Sequence, residues 1–81
     1  MAQTKYKVGD IVFFSTGNYT VAGEGMFIGQ LKNSPDDLVL VIGKQIVEVA
    51  AEHCMLTRGG FPAEGASWRR AYLKQKPGAL V

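Results

Sequence analysis

Residues 38–49, LVLVIGKQIVEV, decide the fold. Residues 38–42 form an unbroken apolar run rich in β-branched side chains, the pattern of a strand buried on both faces or lying centrally in a sheet. Gly43-Lys44 makes a tight connection, and residues 45–49 then alternate apolar with polar, as a strand running back antiparallel does. A hairpin with so short a link is nearly a local decision.

Upstream, Asn33-Ser34-Pro35-Asp36-Asp37 is a turn: Pro presets φ, and Asn and Asp side chains bond back to nearby backbone. Residues 26–31, MFIGQL, read as a strand whose Gly29 allows a bulge or a close backbone approach. Residues 15–25, STGNYTVAGEG, have the glycine and hydroxyl content of a loop. Residues 11–15 read as the first strand, introduced by the Gly9-Asp10 turn.

Downstream, residues 50–53 are good helix formers with room for about one turn. Residues 54–57, CMLT, return to a strand-like run. Four or five short strands with one helical turn before the last is the order a small curled barrel requires, and closing such a sheet removes edges that would otherwise aggregate. Residues 58–65, RGGFPAEG, have a linker composition, after which Ser67 is placed to N-cap a helix over residues 68–75, stopped by Pro77 and Gly78. The expected organisation is therefore a barrel over residues 1–57 and a basic, aromatic extension over residues 58–81.

At 81 residues the chain is one domain near the lower size at which a hydrophobic core suffices without metals or disulfides. Hydrophobic residues make up 47% and charged ones 20%, too apolar for a disordered chain. Cys54 is the one cysteine and no metal-ligand spacing is present, which fits a reducing cytoplasm and no metal or other cofactor. The N-terminal MAQTKYKVGD lacks the features of a signal peptide, and no apolar stretch approaches the ~20 residues of a membrane span.

The net charge of +2 is unevenly spread. Residues 1–57 hold four lysines against six carboxylates, whereas residues 58–81 hold Arg58, Arg69, Arg70, Lys74 and Lys76 against Glu64 alone. Cations attract phosphates at any sequence and aromatic faces stack on unpaired bases, so those five cations with Trp68 and Tyr72 form a candidate surface for single-stranded nucleic acid or RNA. The competing use of the same segment is structural: Trp68, Tyr72 and Leu73 pack on the barrel or on a neighbouring subunit, and the cations are a solvated face.

Other motifs carry less. Residues 23–29, GEGMFIG, imitate a nucleotide loop but lack the strand-to-helix turn and the Lys-Ser/Thr that cradle phosphate. His53-Cys54 invites a thiol–imidazole dyad, yet neighbours on a strand point to opposite faces, so a structural Cys and a surface His are expected. Asp36-Asp37 has no metal-loop spacing and reads as a solvated turn. No catalytic constellation emerges, and the expectation is a non-enzyme.

The succession KVGDIVF (residues 7–13), a glycine-rich loop, GMFIGQL (25–31), an acidic turn, LVLVI (38–42) and QIVEVAAEHCML (45–56) resembles SH3-like small barrels of the Tudor and KOW type. That resemblance implies an all-β barrel of about five antiparallel strands, and it says little about a ligand. A narrower similarity is to the plasmid-borne type II dihydrofolate reductases, whose V-Q-I-Y and P-V-A-A stretches are matched by Gln45, Ile46, Val49, Ala50 and Ala51, with Lys44 in place of the first Val and Val47 in place of the Tyr. It implies a tetramer using NADPH, with Lys44, Gln45 and Ile46 at a ligand pore. The leading expectation is a small non-catalytic module binding nucleic acid through its tail. The alternatives are a protein-binding accessory of phage or mobile-element type, using Phe13, Phe14, Tyr19 and Phe27, and the homo-oligomeric reductase.

Overall fold

In a computed structural model, which describes residues 6–15 and 22–81, the element order is β1 (Ile11–Ser15), β2 (Ala22–Gln30), β3 (Asp37–Ile42), β4 (Gln45–Ala50), a 3₁₀ turn (Ala51–His53), β5 (Cys54–Arg58) and α1 (Pro62–Gln75). The strands form a single antiparallel sheet in the order β4-β3-β2-β1-β5. The apolar run of β3 is buried on both faces, as its composition requires: Leu38 and Leu40 join Val12, Phe14 and Phe27 on one side, and Val39 and Val41 join Met26 and Ile28 on the other. Burying each such side chain contributes about 1.5–3 kcal/mol. A strand that collects this gain on two faces belongs inside the sheet, and β3 lies between β4 and β2.

The expected closed barrel is not what forms. β4 and β5 stand at opposite ends of the strand order with no ladder joining them, so the sheet is open. One face is packed by side chains from both end strands, Val47 and Val49 of β4 and Cys54 of β5, and the other is covered by α1 and residues 79–80. Tyr72 and Leu80 are buried in the same cluster as Met26, Ile28, Val39 and Val41, with Trp68 and Leu73 packed against it. The C-terminal segment thus supplies an apolar cover from a separate element.

Two starting points differ from the sequence expectation by more than one residue. β2 begins at Ala22, so residues 22–25, read as loop, are strand; the ladder from Ser15↔Ala22 to Ile11↔Met26 satisfies their backbone despite two glycines. The part of that loop over residues 16–21, Tyr19 included, lies outside the described residues. Gly29 does mark a register shift in the β2–β3 ladder, and a Cβ there would come within 2.6 Å of the Arg69 guanidinium and 2.7 Å of Leu80.

The helix starts at Pro62, six residues before the expected start, and takes in half of the supposed linker. Pro is preorganised for the first helical position, and Glu64 in the first turn suits the positive end of the helix dipole. Ser67 is therefore an interior residue and not the cap; Phe61 holds that position without a side-chain capping bond. Gly65 is needed for packing: a Cβ on it would sit 2.6 Å from the Gly9 nitrogen and 2.7 Å from its Cα. The Gly9 turn, with φ of +98°, is fixed in turn by its N–H donating to the Phe27 carbonyl at 2.9 Å. The two glycines let helix and turn touch backbone to backbone.

Candidate nucleic-acid interface

Sequence reasoning gathered seven residues of the C-terminal segment into one surface, and the fold divides them. Tyr72 is 6% exposed and its ring is committed to the core, with the Lys76 ammonium 5.4 Å from the ring centroid. Trp68, one turn earlier, is half-buried against the same cluster. The face that would stack on bases is in the first case covered and in the second partly so.

Arg69 is also engaged inward. Its guanidinium donates to the Ile28 carbonyl at 2.8 Å and to the Val81 carbonyl at 2.9 Å, tying the helix to β2 and to the chain end at once. Val81 in turn donates its N–H to the Gln30 carbonyl at 2.9 Å, and Leu80 bridges to Leu31. Arg58, at the end of β5, pairs with Glu24 of β2 at 3.3 Å, both side chains about half exposed.

Arg70 and Lys74 remain, four residues apart on the outer face of α1, with Lys76 just past its end; all three are exposed. The ion pairs among the described residues are His53–Glu52 and Arg58–Glu24, so none of these three cations is held by a carboxylate. The helix repeat explains the division: positions 65, 69, 72 and 73 face the sheet, and 70 and 74 face away. The i, i+4 relation of Trp68 and Tyr72 was visible in the sequence as one apolar face. What it could not reveal was that Arg69 lies close enough to that face to reach two carbonyls.

Lys44 lies in the β3–β4 turn and Gln45 starts β4, both exposed, while Ile46 packs against the helix-side core. Phe14 and Phe27 are buried and Phe13 is 40% exposed beside Met55, its partner on β5. Cys54 is half-buried, its thiol donating to the Ala50 carbonyl at 3.4 Å, and burial raises its pKa above the ordinary 9.0. His53 lies 3.8 Å from Glu52. Among the described residues no cluster of three metal-ligating side chains occurs, and no helix is long and apolar enough to cross a membrane.

A cleft with no local signature in the chain lies between the first half of α1 and the β1–β2–β5 corner. It has a volume of about 290 Å³ and is lined by Glu24, Met26, Arg58, Phe61, Glu64 and Trp68 among others. Compared with protein-family models, curated proteins and solved structures, the chain matches none.

Proposed function

We propose that the chain is a non-catalytic module that binds nucleic acid through its phosphates, using Arg70, Lys74 and Lys76. The observation that carries this reading is the set of three exposed cations outside any ion pair, presented by a helix that is itself fastened to the sheet. A fixed helix loses little conformational entropy on binding, and these cations have no carboxylate to give up, although Lys76 also lies over the Tyr72 ring. Contact of this kind reads the backbone and is indifferent to sequence. Tyr72 has no part in it, Arg69 acts by holding the helix, and Arg58 would join only by leaving Glu24. The strand order β4-β3-β2-β1-β5 and the single 3₁₀ turn before β5 support an SH3-like reading of the fold, with the sheet left open.

Fluorescence anisotropy with a labelled oligonucleotide tests it. Three phosphate contacts predict a slope of log K against log salt of about −2.7 on duplex and about −2 on a single strand, so affinity falls roughly 20- to 40-fold between 50 and 200 mM salt. Lys74→Gln should flatten the slope by just under one unit, and by the same amount on unrelated sequences. A flat salt dependence of the parent protein would overturn the reading.

A further inference from the structure

We infer that the cleft beside the start of α1 is a second binding site, which takes an arginine side chain from a protein partner. Phe61, Glu64 and Trp68 recur at i, i+3 and i+7, one side of the helix, and Glu24, Met26 and Arg58 line the cleft from the sheet. Phe61 is 42% exposed although it is a large apolar residue. It is also well anchored: its carbonyl accepts the Gly65 N–H at 2.9 Å, and its backbone packs on the Gly9 turn. With its backbone fixed, Phe61 has only its two side-chain torsions left to settle on binding.

Charge selects the occupant. The segment from residue 58 onward is strongly basic, yet the cleft holds two carboxylates and one guanidinium. Arg58 is already engaged by Glu24, and Glu64 makes no ion pair among the described residues. The helix start adds about half a positive charge, which leaves the cleft net negative. An anion would meet two carboxylates, and a purely apolar group would desolvate them without compensation. A cation is favoured by both features of the lining, because aromatic faces attract it as carboxylates do. Among cationic side chains arginine suits best: its planar guanidinium lies flat on an aromatic ring while donating in pairs to a carboxylate. Its apolar stem then has Met26 and the two rings to cover.

This site is distinct from the outer face of α1, and substitutions separate the two. Trp68 is the chain's only tryptophan, so its emission reports occupancy of the cleft directly. The probe is the peptide acetyl-Gly-Arg-Gly-amide, titrated against its citrulline counterpart, which keeps the shape and removes the charge. The arginine peptide should give a saturable change in Trp68 emission, with the citrulline peptide about tenfold weaker or more. Glu24→Gln and Glu64→Gln, both at exposed positions, should each weaken the arginine peptide up to about fivefold. Arg58→Gln should tighten it, since it frees Glu24 and removes a like charge, and Lys74→Gln should leave it unchanged. The inference fails if citrulline binds as well as arginine, if neither Glu variant weakens binding, if Arg58→Gln weakens it, or if the arginine peptide leaves Trp68 emission unaltered. Far-UV circular dichroism of each variant separates loss of binding from loss of fold.

Discussion

Gly65→Ala is the sharpest test of how α1 is seated, because helix propensity and packing make opposite predictions. At an exposed helix interior position the change stabilises by up to about 1 kcal/mol, since alanine loses less backbone freedom on folding. Here the new methyl would stand 2.6 Å from the Gly9 nitrogen and 2.7 Å from its Cα, with Val8 Cγ1 at 3.0 Å. The first two neighbours are backbone, and the turn carrying them is bound to β2 through the Gly9–Phe27 hydrogen bond. The helix must therefore retreat by roughly 1 Å to restore ordinary contact. A gap of that size forfeits a quarter to a half of each dispersion contact across it, and Tyr72, Trp68 and Leu73 all lie on the retreating face. Overpacking of this kind costs about 1–3 kcal/mol, and backbone against backbone belongs at the upper end. Less the propensity gain, the variant should be about 2 kcal/mol less stable, a fall in Tm of roughly 10 °C for a domain of this size. Urea unfolding followed by Trp68 emission and by far-UV circular dichroism measures it. Ser67→Ala, on the outer face of the same helix, serves as the control and should stabilise by a few tenths of a kcal/mol. A Gly65→Ala protein as stable as the parent, or more so, would refute the backbone contact.

Two further outcomes follow from single side chains. Arg69→Gln loses the charge-assisted bonds to the Ile28 and Val81 carbonyls and should cost about 1.5–3 kcal/mol in urea unfolding, while the salt slope for nucleic acid stays as it was; Arg69→Lys should recover only part, because an ammonium lacks the fork that spans both carbonyls. Cys54 should titrate above 9.0 when followed by thiolate absorbance, because burial favours the neutral thiol. The folded state then holds a proton that the unfolded state releases first, so this stabilisation is complete below about pH 9 and is lost as pH rises toward the folded value. Tyr6, raised above its usual 10.0 by burial and by the nearby Cys54, adds to the same alkaline decline, and a Cys54 midpoint below 9.0 would contradict it.

The parts of the fold legible in the sequence are those set by neighbours in the chain. The run at residues 38–42 and the two-residue link after it define β3 and β4 to within a residue, because burial on two faces and a short link each leave one solution. The helical turn before β5 was likewise readable from four good helix formers in a row. Residues 22–25 were not, because glycine-rich composition signals a loop locally and the ladder to β1 overrides it from across the sheet. Sheet closure is further still from local pattern. It depends on whether the end strands meet: Val47 and Val49 of β4 and Cys54 of β5 pack on one cluster, yet no ladder joins the two strands, while the helix covers the other face.

The candidate site shows the same division. The cationic surplus after residue 57 and the Trp68–Tyr72 spacing were plain, and they pointed both to a binding arm and to a cap. Only the packed helix separates these uses: Tyr72 and Arg69 hold, and Arg70 and Lys74 face outward. The cleft near Phe61 leaves no local pattern, because its lining comes from residues forty positions apart, Glu24 and Glu64.

β5 gives the open sheet a further property. It pairs with β1 on one side and ends the strand order on the other, and along it Met55 and Leu56 are 66% and 43% exposed. Sheets commonly guard such a border with proline, lysine or an inward-turned charge, and β5 has only Arg58 at its far end, already occupied by Glu24. Two copies laid antiparallel along this border would set Leu56 against Leu56 with no like charges opposed. Among the described residues this border carries neither proline nor lysine, so β5 bears on solubility more than on thermal resistance: a lysine substituted at Leu56 is expected to raise the concentration at which light scattering first detects association.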